Sequence, residues 1–181
     1  KETGITTMYM DEKLDTGDMI LQQAIPIVET DDTGRLYEKL AEVGAALIVE
    51  TVALIAQGKA PRIPQDHTVA SYASLLKREH ERLDWQKSAQ QLANQIRGLS
   101  PWPVAYTLLD GQVFKIWQAH PLAEDNPGKP GLLLPAGKNG LKVVTGEGAL
   151  FLETVQPYGK SKMAASDWRR GLGEIKDICF I

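Results

Sequence analysis

Residues 5–28 read ITTMYMDEKLDTGDMILQQAIPIV, two apolar runs on either side of a charged centre. Ile5-Thr6-Thr7-Met8-Tyr9-Met10 is β-branched and bulky, and predicts a strand. Met19 to Val28 predicts a second strand, with Pro26 near its end where a missing N–H is tolerated. Five of the eight residues from Asp11 to Asp18 are charged, so the centre is expected to be a loop, with Gly17 free to take a positive φ. Asp15 therefore sits between two strands. Its neighbours spell Asp15-Thr16-Gly17, the signature of aspartic proteases. Those enzymes need two carboxylates sharing a proton, so one copy per chain demands a symmetric dimer. Asp18 would add unwanted charge to such a dyad. The other reading is a solvated turn.

Working outward, Glu29-Thr30-Asp31-Asp32-Thr33 is an N-cap cluster, with acids expected in the first turn of a helix running to about Gln57. Leu36, Leu40, Val43, Leu47 and Leu54 fall on one stripe of it, and Gly58 ends it. Pro61 and Pro64 mark a linker composition. Ser88 to Arg97 predicts a short helix with Trp85, Ala89, Leu92 and Ile96 on one face. Beyond Pro101-Trp102-Pro103 come short strands and glycine-rich turns: residues 104–109, 113–117, 131–134, 141–145 and 150–155, with Asp110-Gly111 as a hairpin turn. The pattern predicts α/β followed by β, the second part a small barrel or sandwich. Three blocks follow: residues 1–60, a linker over 61–78, and 79–181.

The chain has 181 residues, 43% hydrophobic and 24% charged, ordinary for a soluble globular protein. No apolar run approaches the ~20 residues that cross a bilayer, so no membrane partner is expected. No signal peptide or initiator Met precedes the first strand, and the sequence reads as a fragment. Cys179 is the single cysteine, which suits a reducing cytoplasm. Residues 1–74 carry 6 Lys and Arg against 12 Asp and Glu; residues 75–181 carry 14 against 11. A basic second half beside an acidic first half hints at a polyanionic partner.

His67, His80 and His120 have no ligand-like spacing, so no metal site is expected. Gly146-Glu147-Gly148 lacks the third glycine of a dinucleotide loop and predicts a hairpin turn. Lys77, Arg78, Arg82, Lys160, Lys162, Arg169 and Arg170 offer phosphate contacts. Trp102, Tyr106, Trp117, Tyr158 and Trp168 offer stacking surfaces. Solvated helix faces and ordinary core aromatics account for the same residues.

The stretch Glu2 to Met19 closely resembles the methionyl-tRNA formyltransferase family, in which a Thr-Gly-Ile/Val-Thr strand leads to a Leu-Asp-Thr-Gly-Asp loop. Lys77-Arg78-Glu79, Leu83-Asp84-Trp85, Ile96-Arg97-Gly98, Pro101-Trp102-Pro103 and Gly159-Lys160-Ser161-Lys162-Met163 extend the resemblance over residues 2–171. It implies a Rossmann-like formyltransferase domain that holds 10-formyltetrahydrofolate as formyl donor. It also implies an OB-like β-barrel that helps hold initiator methionyl-tRNA. The implied catalytic residues are an Asn, a His and an Asp, the last matching Asp15. Met10, Asp11, Glu12, Lys13 and Leu14 match a segment lining the folate pocket, with Met10 and Leu14 as apolar wall. The Lys and Arg residues named above become candidate tRNA contacts. The Asn-x-His and Ser-Leu-Leu-Pro segments of the family are expected before Lys1, so the chain alone is expected to be inactive. A monomer is expected. Two alternatives stand beside this: a non-catalytic RNA-binding module, and a related folate-dependent formyltransferase acting on another amine.

Overall fold

The computed structural model describes residues 1–124, 128–173 and 175–181. It divides into two compact units, Lys1–Leu75 and Leu76–Ile181.

In the first unit, β1 (Glu2–Met8) pairs antiparallel with β2 (Met19–Pro26), in register from Glu2–Pro26 to Thr7–Leu21 and slipping at Met8. The two runs flanking the charged centre are thus one hairpin, and the centre is its loop. Helix α1 (Thr33–Ala56) packs on this hairpin with the leucine stripe, burying Leu47 and Thr51. Asp32 is its N-cap and accepts a hydrogen bond from the Arg35 N–H. The first turn itself contains no acid, so the acids expected there stand just outside it. Asp31, buried before the helix, accepts from the Val28 N–H and the Lys39 ammonium. A polar pin fixes helix to hairpin: the Thr51 hydroxyl donates to Leu47 O, and Thr7 and Thr51 hydroxyls lie 2.9 Å apart. The rest of α1 stays open, with Tyr37, Ile48, Val49, Val52 and Ile55 exposed.

The second unit opens with the short helix α2 (Arg78–Glu81) and helix α3 (Ala89–Gly98). Ser88 and Gln91 form a reciprocal capping box at the start of α3, which fixes its first turn. Six strands make one antiparallel sheet, half of a barrel. They are β3 (Tyr106–Leu109), β4 (Gln112–Leu122), β5 (Leu133–Ala136), β6 (Gly140–Val144), β7 (Ala149–Gln156) and β8 (Met163–Ala164). The order is β3-β4-β7-β6-β5, with β8 beside β7. Asp110 and Gly111 both take positive φ, 50° and 76°, as a two-residue turn between antiparallel strands requires. Gly146-Glu147-Gly148 does turn the chain between β6 and β7, and a Cβ on Gly146 would stand 1.9 Å from Gln86 O. Helix α4 (Ala165–Gly171) follows β8. The tail then spans the gap between the edge strands. The Phe180 N–H donates to Gly131 O and the Leu133 N–H to Ile178 O, while Ile181 and Leu108 exchange backbone bonds. Leu83, Trp85, Leu92, Ile96, Phe114, Ile116, Leu150 and Phe180 are among the core residues that tail and sheet enclose.

Candidate functional site

The loop between β1 and β2 is short on hydrogen-bond partners from the strands and is held from elsewhere. Asp15 adopts φ 54°, a left-handed conformation that an Asp tolerates better than most side chains. Gly17 does not need the positive φ expected of it. It is required for closeness: a Cβ there would meet Tyr9 O at 1.8 Å. The Tyr9 N–H donates to Asp18 O, closing the loop's neck. Asp11 accepts from the Glu12 N–H at 2.7 Å and from the Thr16 hydroxyl at 3.4 Å. Met10 and Leu14 stand 90% and 85% exposed on this loop. Lys13 and Glu12 are exposed beside them. Among the described residues, the Asp15 carboxylate makes no hydrogen bond or ion pair. It is a charged acceptor held on a constrained backbone, with apolar side chains on the same loop.

Residues 61–65 carry a linker composition yet run against this hairpin. Ile63 and Met19 exchange backbone hydrogen bonds at 2.9 and 3.0 Å. Arg62 reaches Asp18 at 3.2 Å and lies 3.8 Å over the Tyr9 ring. The Gln65 amide donates to Gly17 O at 2.7 Å and to Asp15 O at 3.0 Å.

In the second unit the candidate cations separate into groups. Arg78 lies 4.0 Å over the Tyr106 ring and pairs with Glu81. Tyr106 stands opposite Lys115, and Lys115 opposite Gln156. The Gln156 side chain accepts from the Trp117 indole N–H and donates to Lys160 O. Lys162 lies 4.3 Å over the Trp117 ring. Arg78, Lys115 and Lys162 therefore share one strip with Tyr106 and Trp117, and the Lys160 backbone meets it at Gln156. Lys115 escaped the sequence reading; its place two residues before Trp117 in a strand was the available signal. Register shifts between Ile116 and Ala119 leave Trp117 unpaired on the bulged strand.

The other candidates lie apart. Lys77 caps α2, its N–H donating to the His80 ring. Arg82 lines a cavity of about 530 Å³ with Asp84, Lys129 and Cys179. Arg169 donates to Gly173 O and Arg170 pairs with Asp167 at 2.7 Å. Both belong to α4, whose Trp168 packs on Phe114 and Phe180. Phe114 and Lys115 are neighbours in β4 and point to opposite faces. The α4 arginines thus stand on the far side of the sheet from Trp117, and Trp168 is half-buried against the core. Trp102 and Tyr158 are exposed. His120 shares a hydrogen bond with Glu153 at 2.8 Å and stacks on Phe151, a cross-strand pairing that a separation of 33 residues hides from a reading along the chain. Among the described residues no group of three or more His, Cys, Asp or Glu is placed to hold a metal, and no helix is long and apolar enough to cross a membrane.

Comparison with known proteins matches these two regions separately. Residues 1–52 match the formyl transferase model and residues 75–173 the model of the formyl transferase C-terminal domain. The chain is 47% identical over 174 residues to a methionyl-tRNA formyltransferase of Halalkalibacterium halodurans, covering 96% of this chain and 55% of the relative. It is 49% identical over 173 residues to that of Listeria monocytogenes, covering 95% and 55%. The chain thus spans about half the length of the curated relatives it matches. Among solved structures, HypX from Aquifex aeolicus in complex with tetrahydrofolic acid superposes with a TM-score of 0.68 at 20% identity, over 98% of this chain and 31% of that one. At that identity the likeness speaks for the fold. On the matched models and the identity over nearly all of its length, the chain belongs to the formyl transferase family.

Proposed function

We propose that this chain is the part of a methionyl-tRNA formyltransferase that carries the catalytic Asp15 and the tRNA-holding domain. The observation that carries the reading is the β1–β2 loop, which presents a carboxylate with no partner among the described residues, on a fixed backbone beside two exposed apolar side chains. Residues 1–60 belong to a Rossmann-like catalytic domain, 61–78 join, and 79–181 form an OB-like domain. The enzyme works as a monomer in the cytoplasm.

The donor is 10-formyltetrahydrofolate. Met10 and Leu14 suit the flat face of a pterin, and the backbone of Asp11, Glu12 and Lys13 offers polar groups to its edge. The methionyl α-amine, in its neutral form, attacks the formyl carbon. A C–N bond forms to the amine while the bond to the folate nitrogen breaks, and the proton lost by the amine goes to the folate nitrogen. Asp15 serves that transfer by orienting an imidazole, favouring its charged form and fixing a water. The Asn and His that complete the constellation lie in the part of the relatives that this chain does not span.

The strip of Tyr106, Trp117, Lys115 and Lys162, with Arg78 and Lys160, holds the tRNA through phosphate contacts and ring faces. The test of the catalytic reading is Asp15→Asn in a full-length enzyme, made by joining residues 1–181 to the N-terminal part of a curated relative. Formyl transfer is expected to slow by about tenfold or more, with methionyl-tRNA affinity kept. An unchanged rate would reduce Asp15 to a turn residue.

A further inference from the structure

The loop that presents Asp15 carries a backbone problem. A non-glycine residue in the left-handed region is held there only when its surroundings over-determine it. The strands supply little: the register slips at Met8, and Thr16 reaches Asp11 and Lys13 O only at 3.4 Å. The hold comes from 50 residues downstream. The Gln65 side-chain amide donates to Asp15 O and Gly17 O, at 3.0 and 2.7 Å, bracketing Thr16, with the Met8 sulfur as a third, longer acceptor at 3.9 Å. Two carbonyl acceptors decide which end of the amide faces the loop, because the Gln oxygen would repel both. Gln65 is half-buried and fixed in turn. Ile63 is paired with Met19, and Asp66 accepts from both the N–H and the hydroxyl of Thr68. Arg62 and Ile63 hold the stem of the loop, whereas Gln65 reaches from Met8 at the stem to Asp15 and Gly17.

We propose that Gln65 is a positioning residue for the Asp15 carboxylate, locking the left-handed turn that aims it. The proposal rests on the reading of Asp15 as catalytic. Among side chains of this length only an amide supplies two donors from one nitrogen without a charge. A glutamate in the same place would, as a carboxylate, face two carbonyls with like polarity. Protonated, it would donate one bond.

The experiment uses the full-length enzyme with four changes: Asp15→Asn, Gln65→Met, Gln65→Glu, and the Asp15→Asn/Gln65→Met pair. Methionine keeps the volume and removes both donors. Gln65→Met is expected to lower kcat about tenfold, with the KM for methionyl-tRNA within about twofold of the parent. In the Asp15→Asn background the same change is expected to cost less than about twofold more, because a mis-aimed group that is already neutralised has little left to lose. The Gln65→Glu deficit is expected to shrink as the pH is lowered, as the introduced carboxyl regains a proton to donate; the Gln65→Met deficit is expected to be flat with pH. Parent kcat in Gln65→Met while Asp15→Asn is slow would overturn the proposal and leave the Asp15 reading standing. So would losses that multiply in full in the double variant. Parent rate in Asp15→Asn would remove the catalytic reading and the proposal together. Should Gln65→Met fail to fold, a Gln65→Glu deficit that does not change with pH overturns the proposal.

Discussion

Asp31 joins the end of the hairpin to the start of α1 with both of its carboxylate oxygens. One accepts from the Lys39 ammonium at 2.6 Å and the other from the Val28 N–H at 3.0 Å. The Lys39 hydrogen bond, and after it the Val28 hydrogen bond, hold the Asp31 carboxyl below its ordinary value. Because the folded value lies below the unfolded one, the ionised group contributes stability above the unfolded value, about 3.9. That contribution is lost as the pH falls from there through the folded value. Asp31→Asn turns one acceptor into a donor facing either Lys39 or the Val28 N–H. The variant is expected to melt below the parent at neutral pH, with the gap starting to shrink below about pH 4 and closing only as the pH falls through the lowered folded value. Thermal unfolding of α1 followed by far-UV circular dichroism at a series of pH values checks this; a gap that stays constant into acid would show that the charge is not what matters. At this scale the sequence was a partial guide. Asp32 as N-cap follows from residue type and spacing, since a side-chain oxygen three residues ahead of a free N–H is a local matter. The Asp31–Lys39 bond needs the helix to bring the lysine round. The Gln65–Asp15 contact spans 50 residues and leaves no periodic trace.

Helices and strands with a strong local period were readable, and elements defined by tertiary contact were not. The α1 leucine stripe and the α3 face of Ala89, Leu92 and Ile96 recur at helical spacing, and both helices stand where they were expected. Strand β4 runs on to Leu122, past the expected Trp117, because bulges carry it round and break the alternation that would have marked its second half. Strand β8 has two residues, too few for any pattern. The tail was invisible for a different reason: its stabilising bonds are backbone bonds to Gly131, Leu133 and Leu108, which no side-chain period encodes. It carries Phe180, 2% exposed, stacked on Trp85 at 5.7 Å and lying 5.0 Å from Phe114. Removing that ring empties the junction between the two edge strands. Phe180→Ala is expected to cost the second unit about 3–5 kcal/mol, the usual range for truncating a buried Phe. Urea unfolding of residues 76–181, followed by tryptophan fluorescence because Trp85 reports directly, measures it. A loss under about 1 kcal/mol would mean the tail is an appendage, not part of the core.

Taken whole, the chain is lopsided in both burial and charge. Nearly all of its buried hydrophobic residues belong to the second unit; Ile20 and Leu47 are those of the first. Below about 40 residues a domain usually needs outside help, and size alone does not excuse a 75-residue unit from needing a core. With Ile48, Val49, Val52 and Ile55 exposed on α1, the first unit leaves apolar surface uncovered. The second unit has a closed set of core contacts and a mildly basic balance, which makes it the half to test alone. Residues 76–181 are expected to unfold cooperatively and to bind methionyl-tRNA with an affinity that falls steeply with salt. On the Trp117 strip, Lys115→Ala and Lys162→Ala are each expected to reduce the magnitude of the slope of log affinity against log salt by about 0.7–0.9, one phosphate contact apiece. Trp117→Ala is expected to weaken binding by about 1–3 kcal/mol with the slope kept, since a ring face contributes stacking and no charge. Arg170→Ala, on the opposite face and already paired with Asp167, is expected to change neither. Filter binding from about 50 to about 300 mM salt reads all four. Equal slope changes from Arg170 and Lys162 would mean that binding follows net charge, and the strip would lose its assignment. Tight binding by the second unit, with no folate binding by the full-length enzyme, would favour the non-catalytic RNA-binding module over the formyltransferase.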